Sequence, residues 1–113
     1  MATLNMDGSY ALTEENINTY VFESMGNYAL GYTDENNTFC VQYVGRSDTN
    51  LNGRLKDYLD GGFKRFKFSH AKSIKEAYSK ECKNYHDFNP DFNEIHPRKP
   101  DGLDFLQCPV CGQ

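Results

Sequence analysis

The sequence predicts a small α/β domain whose sheet contains an antiparallel pair, and three patterns predict it. Two β-prone runs, `GNYALGY` and `FCVQYVG`, are joined through the polar, turn-forming `TDENN`, which is the signature of a hairpin. A third run, `FKRFKFS`, alternates aromatic and basic residues with period two, as a half-buried strand does. Between and around these runs lie stretches with apolar residues three and four apart, the spacing of amphipathic helices.

Taken in order, `ALTEENINTYVF` is a short helix. Thr13 is its expected N-cap, because a Thr hydroxyl can accept from an orphan amide, and two acids follow in the first turn. The hairpin comes next. `NLNGRLKDYL` places Leu51, Leu55, Tyr58 and Leu59 on one helical face; Gly53 inside it costs about 1 kcal/mol relative to Ala. A Gly-Gly pair ends that helix, and the strand follows with Phe66 and Phe68 facing one way and Phe63 off-register. Ser73 and Glu76 have the spacing of a capping box. The helix they open must stop before Pro90. The tail `HPRKPDGLDFLQCPVCGQ` holds three of the four prolines and reads as a loop that something else must tie down. The order is therefore helix, hairpin, helix, strand, helix, tail, with a domain over residues 1–93 and a tail over 94–113.

A chain of 113 residues supports one modest core. No apolar run approaches the roughly 20 residues of a membrane span. The N-terminus lacks the basic start and apolar stretch of a signal peptide, so a cytoplasmic protein without a membrane partner is expected. The net charge of −4 hides an uneven distribution: residues 1–45 carry six acids and no Lys or Arg, whereas residues 46–83 carry ten basic residues and five acids. A basic middle between acidic ends is either a phosphate-facing stripe or ordinary mixed helix charge, and charge alone leaves both open.

Cys108 and Cys111 form `CPVC` followed by Gly, a knuckle-like turn in which two thiolates can reach one metal. Cys82 and His86 lie four apart on a helix, about 40° apart in projection, and supply the other two ligands of a Cys₃His zinc site; His96 is the alternative to His86. A disulfide is disfavoured in a cytosolic protein, and a redox-active pair lacks the helix start that would lower a thiol pKa. Four protein ligands leave no open position, so this zinc is structural and staples the tail to the last helix. Cys40 reads as a buried small hydrophobe and His70 as a surface residue without a partner at ligand spacing. Glu81 lies about 100° from Cys82 around the helix. It shares its side with Ile74, Ala77 and Tyr78 and so points toward the sheet, where a carboxylate needs a metal or a basic partner.

Together these segments resemble the GIY-YIG nuclease family. `GNYALG` stands in the place of the first motif with Tyr28, and `QYVGRS` in the place of the second with Tyr43, Val44 and Gly45. Arg54 matches the helix arginine and Tyr58 the Tyr or His four residues later. The run `FKFSHAKSIKEAYSKECKNYHDFNPDFN` is similar to the excision-repair incision nucleases of that family, with Glu81 as the metal-binding glutamate and Asn93 as the closing asparagine. The likeness covers about residues 24–93. Asn27 departs from it where many members have a branched apolar residue, and the stretch from Gly45 to Arg54 is one residue longer than in some members.

The resemblance implies a three-stranded antiparallel sheet flanked by helices, with the zinc tail as an addition. It also implies a metal-dependent endonuclease acting on nucleic acid, DNA in the first instance. Glu81 would hold Mg²⁺ or Mn²⁺, Arg54 would stabilise charge at the phosphate, and Tyr28 would position or activate water with Tyr43 and Tyr58 orienting it. Gly45 and Asn93 would be structural. Arg46, Lys64, Arg65, Lys67, Lys72 and Lys75 would flank the cleft and track a backbone. The rival reading is a non-catalytic zinc-stapled module of the same fold that binds nucleic acid or protein.

Overall fold

The computed structural model describes residues 3–113. The elements are β1 (Asp7–Ala11), α1 (Glu14–Tyr20), β2 (Gly26–Thr33), β3 (Phe39–Ser47), α2 (Leu51–Lys56), β4 (Arg65–His70) and α3 (Ile74–Phe88). The strands form one sheet in the order β1-β4-β2-β3, and every neighbouring pair is antiparallel.

The sheet thus has four strands rather than the expected three. The additional strand, β1, reads `DGSYA`, and Gly, Ser and Asp are poor strand formers with no alternation to reveal them. Tertiary contacts make it a strand. Leu12 N–H donates to Lys64 O at 2.9 Å, and Arg65 donates to both the hydroxyl and the carbonyl of Ser9. Gly8 has φ +121°, and a Cβ there would sit 2.9 Å from the Phe66 carbonyl oxygen. Only glycine lets β1 come this close to β4.

Local chemistry fixes the turns and caps. Asp34 Oδ1 accepts from the amides of Asn36 and Thr38 at 2.9 Å each, closing the hairpin as an Asx turn. Thr13, Asn50 and Ser73 cap the three helices, each side chain accepting an amide three residues on. Asn89 adopts the left-handed conformation that ends α3.

Alternation along the strands divides the core into two layers. Tyr28, Leu30, Phe66 and Phe68 pack with Ile17 of α1 and with Leu51 and Leu55 of α2. Ala29 and Val44 face the other way and meet Leu4, with Tyr85 and Phe88 of α3 packed against them. Asn27, the departure from the family pattern, lies in that second layer and donates to the Ala77 carbonyl at 2.9 Å, which anchors α3 to the middle of the sheet. The edge strand β3 is covered by the chain after α3. The Asn93 side chain accepts from Val44 N–H at 2.8 Å and donates to Val44 O at 2.9 Å, and Phe92 N–H reaches Gln42 O. Pairing an edge in this way removes a template for aggregation. None of the described helices is long and apolar enough to cross a membrane.

Candidate metal centre and the tyrosine–arginine cleft

The tail returns to α3 and meets it twice. Leu106 and Cys108 are buried against Tyr78 and Cys82, with Leu103 packed alongside. One turn further along α3, His86, His96, Cys108 and Cys111 each offer one ligand atom, and these four atoms all lie within 4.8 Å of one another. Cys111 Sγ and His96 Nε2 are 3.4 Å apart. Tetrahedral zinc with ordinary bond lengths requires ligand–ligand separations of about 3.3–3.8 Å, so a small contraction around an ion completes the set.

Three details show that these residues fit a metal. His86 Nε2 is buried and has no hydrogen-bond partner among the described residues, an expensive condition for a polar atom unless something binds it. His96 Nδ1 lies 3.0 Å from the Pro97 carbonyl; a proton on Nδ1 donates there and leaves the Nε2 lone pair free, the usual outer contact of a ligating histidine. Burial alone would push the Cys108 thiol up, but the amides of Cys111 and Val110 donate to its sulfur. With the side chains of His96 and Cys111 they bring it down to about 5, a thiolate at neutral pH. Two nitrogens and two sulfurs from four side chains form a closed His₂Cys₂ set, consistent with a structural zinc site.

The membership differs from the sequence expectation in one residue. His96 joins His86, and Cys82 lies outside the four. Cys82 is wholly buried in the apolar cluster with Tyr78 and Leu106, and burial pushes its thiol up to about 12. Helical spacing brought Cys82 and His86 to one side of α3, yet the CPVC turn docks with Cys82 beneath it as packing. Cys40 is half-buried rather than core. His70 is likewise engaged: Phe22 stacks on its ring, and it bonds Phe22 N–H and Ser24 Oγ.

The second region is a cleft of about 560 Å³ beside the far half of β3, whose opposite wall is the tail from Phe92 to Arg98. Tyr28, Tyr43 and Tyr58 form a triangle with ring centroids 5.6–6.2 Å apart, and the hydroxyls of Tyr28 and Tyr58 are 2.8 Å apart. Gly45 makes room for this group: a Cβ there would lie 2.5 Å from Tyr28 Cζ. Burial first, and then the neighbouring Tyr58 hydroxyl, push the Tyr28 hydroxyl far above its ordinary pKa; the same causes push Tyr43 up to about 12. Arg54, Arg46 and Glu81 also line this space. Arg98 and His96, from the tail, complete it. Arg98 carried no sequence signal, because nothing in the tail's composition says which residue will face β3.

Glu81 is buried, as its helical position implied, and its partner is a cation. Arg46 Nη1 donates to Glu81 Oε1, while Arg46 Nε donates to Asp48 at 2.9 Å. Burial raises the Glu81 carboxyl, an effect that Arg46 partly offsets. The basic residues expected around the cleft mostly lie elsewhere. Arg65 and Lys67 alternate with Phe66 and Phe68 and so project from the opposite face, where they line a different pocket. Lys64, Lys72 and Lys75 are exposed and outside the cleft lining. No basic stripe suited to duplex DNA is assembled by these residues.

These findings correct the enzymatic implications of the resemblance. Among the described residues, the group of three or more potential ligands close enough to share an ion is the His₂Cys₂ set. That set fits a closed structural centre, not the carboxylate-and-water site of a Mg²⁺- or Mn²⁺-dependent hydrolase. The carboxylate assigned to that cation, Glu81, is held by Arg46. Endonuclease, hydrolase and DNA-binding assignments are therefore withdrawn. No family model, curated protein or solved structure matches the chain, so the likeness to the GIY-YIG family rests on the motifs alone. What stands is a small α/β domain with an antiparallel sheet flanked by helices and a C-terminal His/Cys cluster.

Proposed function

We propose that the chain is a non-catalytic, zinc-stapled α/β module that binds unpaired nucleic acid in the tyrosine–arginine cleft. The observation that carries this reading is the contrast between the cleft's charges. Arg46 is neutralised by Glu81 and Asp48, whereas the exposed Arg54 and Arg98 form no salt bridge among the described residues. Free guanidinium groups beside aromatic rings are the ingredients of single-strand binding, with phosphates on the cations and bases on the rings. Phe92, 56% exposed at the rim, adds a stacking face braced edge-on by Phe63. Zinc, in this reading, fixes the wall that carries Arg98.

The test is fluorescence anisotropy of zinc-loaded protein with labelled single-stranded RNA and DNA, against duplexes of the same length. Saturable binding that weakens with salt and falls about tenfold or more in an Arg54→Ala/Arg98→Ala variant is expected. No binding to any of these at low salt would remove nucleic acid and leave the protein-interaction module as the reading.

A further inference from the structure

Arg65 and Lys67, displaced from the cleft by strand alternation, line a separate pocket of about 320 Å³ together with Gly8, Ser9, Thr33, Asn37 and Phe39. It lies where β1, the β2–β3 hairpin tip and β4 converge, and it shares no residue with the tyrosine–arginine cleft. The lining holds two cations and no acid. Arg65 is held in place: Nε donates to Ser9 Oγ at 2.8 Å and Nη2 to Ser9 O at 2.7 Å. Its Nη1 group has no hydrogen-bond partner among the described residues and is left to donate. The Lys67 ammonium lies 5.4 Å from the centre of the Phe39 ring and forms no salt bridge or hydrogen bond among the described residues. A fixed planar fork and an unengaged ammonium two residues along the same strand present several donors to one space. Ser9, Thr33 and Asn37 provide polar walls without opposing charge. The lower rim is a strand edge that only Gly8 allows to approach so closely.

We propose that this pocket binds a phosphate group, with Arg65 as the oriented fork and Lys67 as the point charge. The ligand is a phosphate monoester or free phosphate. A strand terminus and a soluble phosphate share that chemistry, and the experiment separates them. The proposal stands independently of what occupies the cleft.

The experiment is an amide chemical-shift titration of the ¹⁵N-labelled, zinc-loaded full chain. The probes are inorganic phosphate, a 5′-phosphorylated dinucleotide and the same dinucleotide without its 5′-phosphate. Saturable shifts of the Ser9, Asn37, Phe39 and Lys67 amides are expected with the phosphate-bearing probes, whatever the dinucleotides also do in the cleft, with a dissociation constant of about 1 mM or tighter. Lys67→Met keeps the strand and its aliphatic stem, and it should weaken binding about tenfold. Arg54→Ala, in the other cleft, should leave these shifts unchanged. Equal response to free phosphate and to the phosphorylated dinucleotide assigns a general phosphate site. Response to the phosphorylated dinucleotide alone assigns a strand terminus. Absence of saturable shifts with every probe, or shifts that persist unaltered in Lys67→Met, would overturn the proposal.

Discussion

The metal centre and the cleft share a wall at His96, yet they leave their polar groups in opposite conditions. At the metal centre a ligand nitrogen is left without a partner: His86 Nε2 is buried and unsatisfied, and His96 turns its Nδ1 to Pro97, which leaves its Nε2 facing the other ligands. In the cleft the groups that resemble catalytic machinery already satisfy one another. Glu81 is bonded to Arg46, and the Tyr28 hydroxyl to Tyr58. A site that awaits an ion shows unsatisfied buried atoms, whereas an internally paired one has little left with which to hold an ion. This difference, more than the identity of the residues, separates the structural zinc reading from the enzymatic one.

The largest effect expected is from removing the metal. Structural zinc binding contributes directly to folding free energy, and here the tail has few apolar contacts besides, chiefly those of Leu103, Leu106 and Cys108. Chelation should release the tail beyond Asn93 to proteolysis while the sheet, with Asn93 still bonded to Val44, remains protected, and cleft binding should weaken as the Arg98 wall detaches. Metal content sharpens the ligand list: His96→Ala should lose the ion, and Cys82→Ala should retain it. The opposite pattern would return Cys82 to the site. Where the metal-free tail docks, the Cys108 thiol is pulled down to about 5, against about 8.5 in the released tail. Because the folded value is the lower one, tail docking gains stability as pH rises from about 5 to about 8.5 and is lost as pH falls back through that window. Thiolate absorbance, with Cys108→Ser as the blank, measures it.

Next in size is Glu81→Ala. Side chains of Arg46 and Glu81 are only 10% and 11% exposed, so deleting the acid strands a buried guanidinium with Asp48 alone. Breaking such a pair costs about 3 kcal/mol, read by chemical denaturation. Replacing both partners by Met should recover most of that loss, since a buried pair adds little over apolar packing. A cost below about 0.5 kcal/mol, the range of an ordinary surface substitution, would mean that Glu81 is not engaged in the native state and would reopen the cleft to other roles. Gly45→Ala follows at about 2 kcal/mol, because the new methyl would overlap the Tyr28 ring and that ring is locked in the core.

Much of this arrangement was legible in the residues, and the exceptions share a cause. The capped helices, the hairpin and the Phe66/Phe68 face follow from local signals: cap hydroxyls, turn residues and period two. Strand β1 does not, because `DGSYA` pairs only by virtue of β4 beside it. The choice of His96 over Cys82 was equally closed to sequence reasoning. Helical spacing states which residues share a side of α3 but not how far along it the CPVC turn docks. The same limit applied to Arg65 and Lys67. Their alternation with Phe66 and Phe68 was plain, but which of the two faces carries the tyrosines is set by the register of β4 against β2, which period two does not give.

The smallest effect tests whether the cleft is internally satisfied. Tyr28→Phe removes one hydroxyl from a pair 2.8 Å apart and changes no packing volume elsewhere. The partner, Tyr58, is half-buried and can turn to water, so the loss should be about 1 kcal/mol, the net value of one hydrogen bond, rather than the larger penalty of a stranded buried group. Metal content should not change. Tyr43, held up to about 12 mainly by its own burial, should keep its high titration midpoint in the variant, read from tyrosinate absorbance. A stability loss near 3 kcal/mol would instead show that Tyr58 cannot reach solvent and that the three rings form a sealed core; the cleft would then lack the open aromatic face that nucleic-acid binding requires.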